Sequence, residues 1–345
     1  MLKDLIMGIS IKTHKMLWGR SGNKCAICRT DLFEDITETD DYSILGEEAH
    51  IIAREKNGPR GKSSLTGEER DKYSNLILLC QKHHKIIDDH EEQYPVEKLI
   101  EIKTEHIKWV QSSLNTADVQ KQRDDETYAT YIEEFINLAG IEVWENWSSF
   151  VLSSGQPQIS KEQYQNLKKL NEYILSRIWP RRYANLEFGF HNFRRIVNDF
   201  IEVFSKFIDK TDDEFYDTEK FYKREYHLEQ KEYDRLGAKY DYHVDLVQDL
   251  MCELTRACNY LIQQIRYTIS PSFRTKEGLL LITTGPGMDF KWTTVRLEYA
   301  EKEVEQVSYK GLRDFMTSRE TSYHFGNGVS EDYFLSDKLK EIMWE

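Results

Sequence analysis

Two short pairs of metal-binding residue types constrain this chain more than any other feature of its sequence. Cys25 and Cys28 are spaced Cys-x2-Cys, and Cys80 and His83 are spaced Cys-x2-His. Pairs with this spacing can present four donors to one tetrahedral ion, as structural zinc sites do. Buried free thiols are the alternative interpretation of the same cysteines. The matched spacing favours zinc, which would hold two distant segments of the chain together.

Three further polar residues lie between or beside these ligands without being needed by a zinc site. They are His50, Asn75 and His84. Taken alone, His50 is most simply a buried histidine of a strand. In combination the three indicate an active site, because a neutral imidazole titrates near neutrality and can serve as a general base.

Residues 14–110 resemble the HNH nucleases of the ββα-metal class, in a subgroup whose core histidine stands in an Ala-His-Ile context. Nothing after this region carries the resemblance. Its motifs occur in the family's order, and they are Cys25-Ala-Ile-Cys28, Ala49-His50-Ile51, Asn75 before an apolar run, and Cys80-Gln-Lys-His83-His84.

The resemblance implies a phosphodiester hydrolase that leaves a 5′-phosphate and a 3′-hydroxyl. It implies that His50 activates water, that Asn75 orients the region around it, and that His84 helps to hold a catalytic Mg²⁺ or Mn²⁺ ion. His83 stands where the family more often has Cys. Neighbouring residues on a helix point about 100° apart, so His83 and His84 can serve two different ions.

Ala49 departs from the family pattern, in which an acidic metal ligand commonly precedes the first His. The replacement ligand must come from elsewhere in the chain, and Glu48, Glu47 and Asp88 are the candidates. Asp88 lies four residues after His84 and shares its helix face. It can therefore act as a ligand or as a hydrogen-bond acceptor for the His84 ring.

A basic stretch follows the candidate base directly. Arg54, Lys56, Arg60 and Lys62 are accompanied by only one acid, Glu55. A solvated loop is the simpler interpretation of such a stretch. With a nuclease site beside it, we predict that these four side chains contact DNA phosphates.

The length of 345 residues predicts more than one domain, and the resemblance together with the helical patterns that follow it implies an α+β protein of two domains. Residues 1–112 form the expected zinc-stapled ββα-metal domain, and they hold 17 Lys and Arg against 20 Asp and Glu. Residues 113–345 hold 30 against 40, so most of the net charge of −13 belongs to this second, mainly α-helical domain. The polar segment 112–127 is the expected linker between them.

The second domain is expected to sense a signal or to build an oligomer. Within it, residues 279–284 and 292–299 predict a small β-hairpin, because each is an apolar and β-branched run beside a Gly-Pro-Gly loop. The charged, tyrosine-rich residues 209–236 predict a solvated helical hairpin.

The sequence thus predicts a metal-dependent HNH endonuclease that acts on DNA. Its layout is similar to prokaryotic restriction and antiphage effectors, in which a second domain regulates cleavage through a regulatory protein, a small-molecule signal or homo-oligomerisation. A catalytically inactive, zinc-stapled module that binds nucleic acid or protein is the alternative, which Ala49 favours, and an RNA target also stays open. No apolar run is long enough to span a bilayer, no signal peptide pattern is present, and the cysteines suit a reducing compartment, so a cytoplasmic location is expected.

Overall fold

A computed structural model gives the architecture of the chain. It divides into two compact units, which are called here the N-terminal unit, Met1–Glu133, and the C-terminal unit, Glu134–Glu345. The expected boundary between independently folding domains, after residue 112, stays a prediction. The structure describes residues 8–34, 43–113, 116–152, 155–210, 212–224, 229–285, 291–300, 303, 309–319, 325–326 and 328–334.

The N-terminal unit is built around an antiparallel strand pair followed by a helix. In this pair Gly46 lies opposite Cys80 and His50 lies opposite Leu76. The helix begins at the residue after the second strand, which gives the ββα order expected from the sequence. The elements of the unit are α1 (Ile11–Arg20), β1 (Phe33–Glu34), β2 (Ser43–Ile44), β3 (Gly46–His50), α2 (Gly67–Arg70), β4 (Leu76–Cys80), α3 (Gln81–Asp89) and α4 (Val96–Ser113).

The core of this unit lies around β4. Four consecutive residues of the strand, Leu76–Leu79, are completely buried, as a strand covered on both faces must be. Trp18 of α1, Ile87 of α3 and Leu99 of α4 belong to the same core. Burial of this apolar surface fixes the position of β4, the strand that ends at Cys80.

Strand β3 ends earlier than its apolar sequence predicts. The sequence favours a strand over residues 48–53, whereas the pairing runs from Gly46 to His50. The difference arises because the Asn75 side chain takes both backbone groups of Ile52, which draws the chain away from the sheet. His50 is therefore the last residue of its strand.

The expected linker is helical. Helix α5 (Thr116–Ala139) begins within this polar segment, and residues 114–115 lie outside the described residues. Two of its polar side chains contact α1: Glu126 accepts two hydrogen bonds of 2.8 and 2.9 Å from Arg20, and Gln122 donates to the backbone of Lys15. Residues 112–127 as a linker between two domains stay a prediction.

The C-terminal unit is mainly helical, and α8 and α9 supply the centre of its core. Aromatic residues of α8, among them Phe193 and Phe200, are fully buried, as are Leu254 and Leu261 of α9. The elements of this unit are α6 (Trp144–Val151), β5 (Gln158–Ser160), α7 (Lys161–Leu175), α8 (Ala184–Ser205), β6 (Ile208–Asp209), β7 (Phe215–Thr218), α9 (Gln230–Thr268), β8 (Leu281–Thr284), β9 (Thr293–Arg296) and α10 (Leu312–Ser318).

Two predictions for this unit had different outcomes. The β-hairpin is confirmed, with Leu281 of β8 opposite Arg296 of β9, while residues 286–290 of its loop lie outside the described residues. The helical hairpin at 209–236 was wrong, because β7 lies in that stretch and pairs antiparallel with both β5 and β6. The aromatic side chains of β7 pack against other rings: the Phe215 ring lies 5.0 Å from that of Phe150, and the Tyr216 ring lies 5.2 Å from that of Tyr164. Across the described part of the chain, no helix has the length and apolarity that a membrane span requires.

Candidate active site and metal centre

The four predicted zinc ligands lie together in one cluster. The Sγ atoms of Cys28 and Cys80 are 4.0 Å apart, and Nδ1 of His83 lies 3.6 Å from Sγ of Cys25 and 3.2 Å from Sγ of Cys80. A tetrahedral zinc ion with ordinary bond lengths separates two sulfurs by about 3.8 Å and a sulfur from a nitrogen by about 3.6 Å. The cluster therefore has the size and donor set of a tetrahedral metal site.

This cluster joins parts of the chain that are distant in sequence. Cys25 and Cys28 lie in a turn that is closed by hydrogen bonds between Cys25 and the backbones of Arg29 and Thr30. The turn is attached to the sheet because the amide of Ala26 donates to the carbonyl of Leu78. Cys80 ends β4 and His83 lies in the first turn of α3, so an ion here would fix the turn to the ββα unit.

Burial changes the acidity of these ligands. It raises the pKa of the Cys25 thiol to about 11 and lowers the pKa of His83, which keeps that imidazole neutral. The pKa of Cys28 is lowered despite its burial, because hydrogen bonds with Thr30 favour its thiolate. A metal ion binds the thiolate form, so binding at Cys25 has to release a proton.

His50, at the end of β3, faces a carboxylate that the sequence analysis did not single out. Its Nε2 lies 2.9 Å from Oδ1 of Asp71, which directly follows the short helix α2. The second oxygen of Asp71 lies 3.5 Å from Nη2 of Arg54. Asp71 stands between the candidate base and an arginine of the basic loop, a contact that only the tertiary fold creates.

Asn75 connects the two segments that carry this pair. Its side-chain NH₂ donates to the carbonyl of Ile52 at 2.8 Å and to that of Arg70 at 2.9 Å, and its oxygen accepts from the amide of Ile52 at 3.0 Å. Ile52 lies two residues after His50, and Arg70 immediately precedes Asp71. The buried Asn75 amide therefore fixes the separation between the strand end and the carboxylate.

His84 faces away from the cysteine cluster and meets two acids. Its Nδ1 lies 2.6 Å from Oε2 of Glu47, and its Nε2 lies 3.4 Å from Oδ2 of Asp88. The two carboxylates contact different nitrogens, so they lie on opposite sides of the ring. His83 and His84 thus serve different environments, as adjacent positions on a helix allow.

Glu48 does not lie with this histidine. Its carboxylate accepts a hydrogen bond from Nε1 of Trp18 at 2.8 Å and lies 2.5 Å from Nδ1 of His14, both on α1. Successive residues of a strand point to opposite faces, which separates Glu48 from Glu47. The expectation for Glu48 is corrected accordingly: Glu47 is the acidic residue of β3 that meets His84.

The four basic residues predicted to contact DNA occupy different environments. Lys56 and Lys62 are exposed, and the Arg54 side chain is 40% exposed. The Arg60 side chain is only 5% exposed; it donates to the carbonyls of Ile51 and Ile87 and to Asp88 at 2.6–2.7 Å. Arg60 thereby connects the end of β3 to α3 within the domain.

Arg70 was missed by sequence reasoning, although it organises the whole loop between β3 and α2. It is 1% exposed, and its guanidinium donates to four backbone carbonyls, those of Ala53, Gly61, Ser63 and Leu65. The loop folded around it borders an open cleft of about 630 Å³. Residues lining this cleft are mostly polar or basic, and they include Arg54, Lys56, Asn57, Ser63, Ser64 and Thr66.

A family model described as HNH endonuclease matches residues 25–91. No curated protein matches the chain. The matched segment begins at the first ligand of the cysteine cluster and contains His50, Asn75 and His84, together with the ββα unit that carries them. The N-terminal part of the chain is therefore a domain of the HNH endonuclease family.

Proposed function

We propose that this chain is a metal-dependent endonuclease that hydrolyses DNA phosphodiester bonds, with His50 as the general base. The observation that carries the proposal is the His50–Asp71 pair, which contacts Arg54 at the border of a mostly polar cleft that Lys56 and Glu55 also line. General-base chemistry requires an imidazole whose free nitrogen can reach water. His50 is about one-fifth exposed, which leaves that access open.

The hydrogen bond to Asp71 supports a separate role for each ring nitrogen of His50. When Nε2–H donates to Asp71, the lone pair of Nδ1 is left to accept a proton from water. Among the residues that the structure describes, none donates to Nδ1 or accepts from it. The hydroxide formed there attacks the phosphorus, and the bond from phosphorus to the 3′ oxygen breaks. The departing 3′ oxygen takes up a proton from solvent, so the expected products are a 5′-phosphate and a 3′-hydroxyl.

Cys25, Cys28, Cys80 and His83 are proposed to hold a structural zinc ion. Three thiolates and one imidazole are a donor set that zinc prefers, and the tetrahedral spacing of the cluster supports this assignment. All four positions are protein ligands, so no open position is left for water. The role proposed for this ion is to hold the cysteine turn against the ββα unit.

Glu47 and His84 are proposed to hold the catalytic Mg²⁺ or Mn²⁺ ion, with Glu47 in the place of the acidic ligand that Ala49 lacks. Two adjacent ligands about 2.1 Å from an octahedral ion lie about 3 Å apart. The 2.6 Å between Oε2 of Glu47 and Nδ1 of His84 is a hydrogen-bond distance, so the two atoms are near neighbours that would have to separate slightly to admit an ion. When bound, such a cation neutralises charge that develops on the phosphate and the leaving oxygen.

Asp88 is assigned to orient the His84 ring. Its Oδ2 faces Nε2 of His84, while its Oδ1 accepts a hydrogen bond of 2.7 Å from Arg60. A carboxylate that holds the far nitrogen of a metal-binding histidine fixes the tautomer of the ring and its orientation. Arg60 contributes to the site by holding Asp88, and phosphate contact is assigned to Arg54, Lys56 and Lys62.

Plasmid nicking with Mg²⁺ or Mn²⁺ tests the proposed activity. The intact chain is expected to nick supercoiled DNA, and His50→Ala is expected to reduce the rate at least about 100-fold. His90→Ala is the matched control, because His90 is exposed at the end of α3 and outside the site. Equal activity of the wild type and His50→Ala would remove His50 from the mechanism.

A catalytically inactive, zinc-stapled binding module is the second candidate, and Ala49 is the observation that favours it. In that case the chain would bind DNA or protein through the same basic loop without cutting. Retention of DNA binding by a wild type that does not nick with any divalent cation would support this module. RNA substrates belong in the same assay, because the sequence contains no recognisable base-reading element that would select DNA.

The C-terminal unit is proposed to regulate cleavage, as the second domain does in prokaryotic restriction and antiphage effectors. Residues 113–345 hold 30 Lys and Arg against 40 Asp and Glu, so this part of the chain repels DNA and can restrain the nuclease until an oligomer, a regulatory protein or a small-molecule signal rearranges it. Light scattering of the intact chain, with and without candidate nucleotides, tests oligomerisation. A monomer whose nicking rate responds to none of these additions would contradict the regulatory role.

A further inference from the structure

We propose that Asp71 is the positioning residue of His50, an inference that rests on the proposed function of His50 as a base. The Asp71 carboxylate is 13% exposed and lies 2.9 Å from Nε2 of His50. No pattern in the sequence connects these two residues. Their contact gives Asp71 a role in selecting which nitrogen of His50 carries the proton.

Asp71 is held in place through the residue before it. The residue before it, Arg70, is fixed by its guanidinium, which donates to four carbonyls of the preceding loop. The carbonyl of Arg70 also accepts a hydrogen bond from the side-chain NH₂ of Asn75. The same NH₂ group donates to the carbonyl of Ile52, two residues after His50. The carboxylate therefore approaches the imidazole from a backbone that cannot move independently of the strand end.

The chemical consequence concerns the tautomer of His50. A neutral imidazole carries one proton, and a carboxylate accepts hydrogen bonds but does not donate them when ionised. Asp71 thus selects the form protonated at Nε2 and leaves Nδ1 with a lone pair. Without the carboxylate the ring can rotate, and both tautomers become accessible, so only part of the molecules would present a basic nitrogen to water.

Arg54 holds the second oxygen of the same carboxylate. Its Nη2 lies 3.5 Å from Oδ2 of Asp71, on the side opposite the imidazole. This contact restrains rotation of the carboxylate and balances its charge in the partly buried site. Because Arg54 also lines the cleft, the carboxylate stays next to the proposed path of the DNA backbone.

Steady-state kinetics of three variants test the inference on the intact, zinc-loaded chain. Asp71→Asn keeps the size of the side chain and removes its charge, Asp71→Glu restores a carboxylate, and Asp89→Asn is a control in an exposed pair with Lys85. With a short duplex as substrate, Asp71→Asn is expected to lower kcat by roughly 10- to 100-fold with little change in KM. Asp71→Glu should recover part of that loss, and Asp89→Asn should match the wild type.

A structural role alone would give a different result. If Asp71 only stabilised the loop, Asp71→Asn would raise KM or reduce zinc content together with kcat. Either outcome, or an unchanged kcat, overturns the positioning role.

The tautomer of His50 provides a readout that does not depend on nuclease activity. In ¹⁵N-histidine-labelled protein, with His50→Gln used for assignment, wild-type His50 is expected to show the pattern of an Nε2-protonated neutral ring. Asp71→Asn is expected to show a mixture of tautomers, because its amide can either donate to Nε2 or accept from it.

An Nδ1-protonated His50 in the wild type overturns the inference even if the variants fail to fold. An unchanged pattern in a folded Asp71→Asn protein does so as well. Should the wild type fail to nick DNA with any cation while His50 shows the expected tautomer, the proposed function fails and the role of Asp71 in holding the ring stands.

Discussion

Replacement of Arg70 by Met is expected to destabilise the N-terminal unit strongly. Methionine keeps much of the unbranched apolar stem and removes the guanidinium, which donates to the carbonyls of Ala53, Gly61, Ser63 and Leu65. These carbonyls surround a side chain that is only 1% exposed, so water cannot easily replace the lost donors. A buried carbonyl left without its donor costs about 1 kcal/mol or somewhat more, so four of them together cost about 3–5 kcal/mol.

The size of the unit converts this free energy into a shift of melting temperature. Unfolding entropy near the transition is about 2.1 cal/mol/K per residue, so residues 1–133 contribute about 0.28 kcal/mol/K. A loss of 3–5 kcal/mol therefore lowers the melting temperature of this unit by about 10–18 °C. Differential scanning calorimetry of the zinc-loaded chain measures the shift, with zinc release marking the transition of the N-terminal unit.

Arg54→Met is the matched control, because it removes the same group from a side chain that is 40% exposed. Its one ionic contact, at 3.5 Å to Asp71, is partly solvated and stabilises the fold by about 0–1 kcal/mol. The expected shift of its melting temperature is below about 4 °C. An Arg70→Met protein that melts within 2–3 °C of the wild type would refute the view that this guanidinium holds the loop together.

Three further predictions concern the metal sites and their support. Burial raises the pKa of Cys25 to about 11, so zinc binding has to displace a proton from this thiol at neutral pH. Release of that proton should raise the zinc affinity, measured against a chelator, about tenfold per pH unit between pH 6.5 and 8.5. A zinc affinity that does not change with pH would contradict this. Glu47→Gln is expected to weaken Mn²⁺ binding to the zinc-loaded chain by about 10-fold or more, as measured by isothermal titration. Glu48→Gln should leave Mn²⁺ binding unchanged, because the Glu48 side chain faces α1. If Glu48→Gln had the larger effect, Glu48 and not Glu47 would be the metal ligand. Asn75→Ala removes three hydrogen bonds of a buried amide, so it should lower the free energy of unfolding by about 2–4 kcal/mol in calorimetry. It should also remove most of the nicking activity. A stable and active variant would contradict the proposed role of Asn75 in connecting the two segments.

Sequence patterns sufficed for the part of the site whose spacing is local. Cys25 with Cys28 and Cys80 with His83 are short-range pairs, and one ion has room for four donors, so their convergence follows from chemistry alone. The alternation of β3 likewise determines that Glu47 and Glu48 face opposite ways, although it does not say which of them faces His84. That choice depends on where α3 packs, which only the fold supplies.

Long-range contacts account for what sequence reasoning did not find. Asp71 lies in a polar stretch where acids are ordinary, and nothing in its neighbourhood predicts that it meets His50. In the C-terminal unit, the charge of residues 209–236 concealed a strand, because aromatic side chains of β7 pack against rings from other elements. Average polarity describes a whole segment, whereas burial is decided one side chain at a time.

Three arginines near the base show why charge alone does not identify a nucleic-acid surface. Arg54 borders the cleft and touches a carboxylate, Arg60 connects two elements through carbonyls and Asp88, and Arg70 forms the centre of a loop. A guanidinium has five donors in a fixed plane, so a backbone that folds around it satisfies it as completely as phosphates do. Two of the three therefore satisfy backbone carbonyls inside the domain, and the exposed Arg54 is the one proposed to contact a DNA phosphate. The proposed mechanism needs both roles, because a phosphodiester can be placed beside His50 only if the loop that carries Arg54 is held in position.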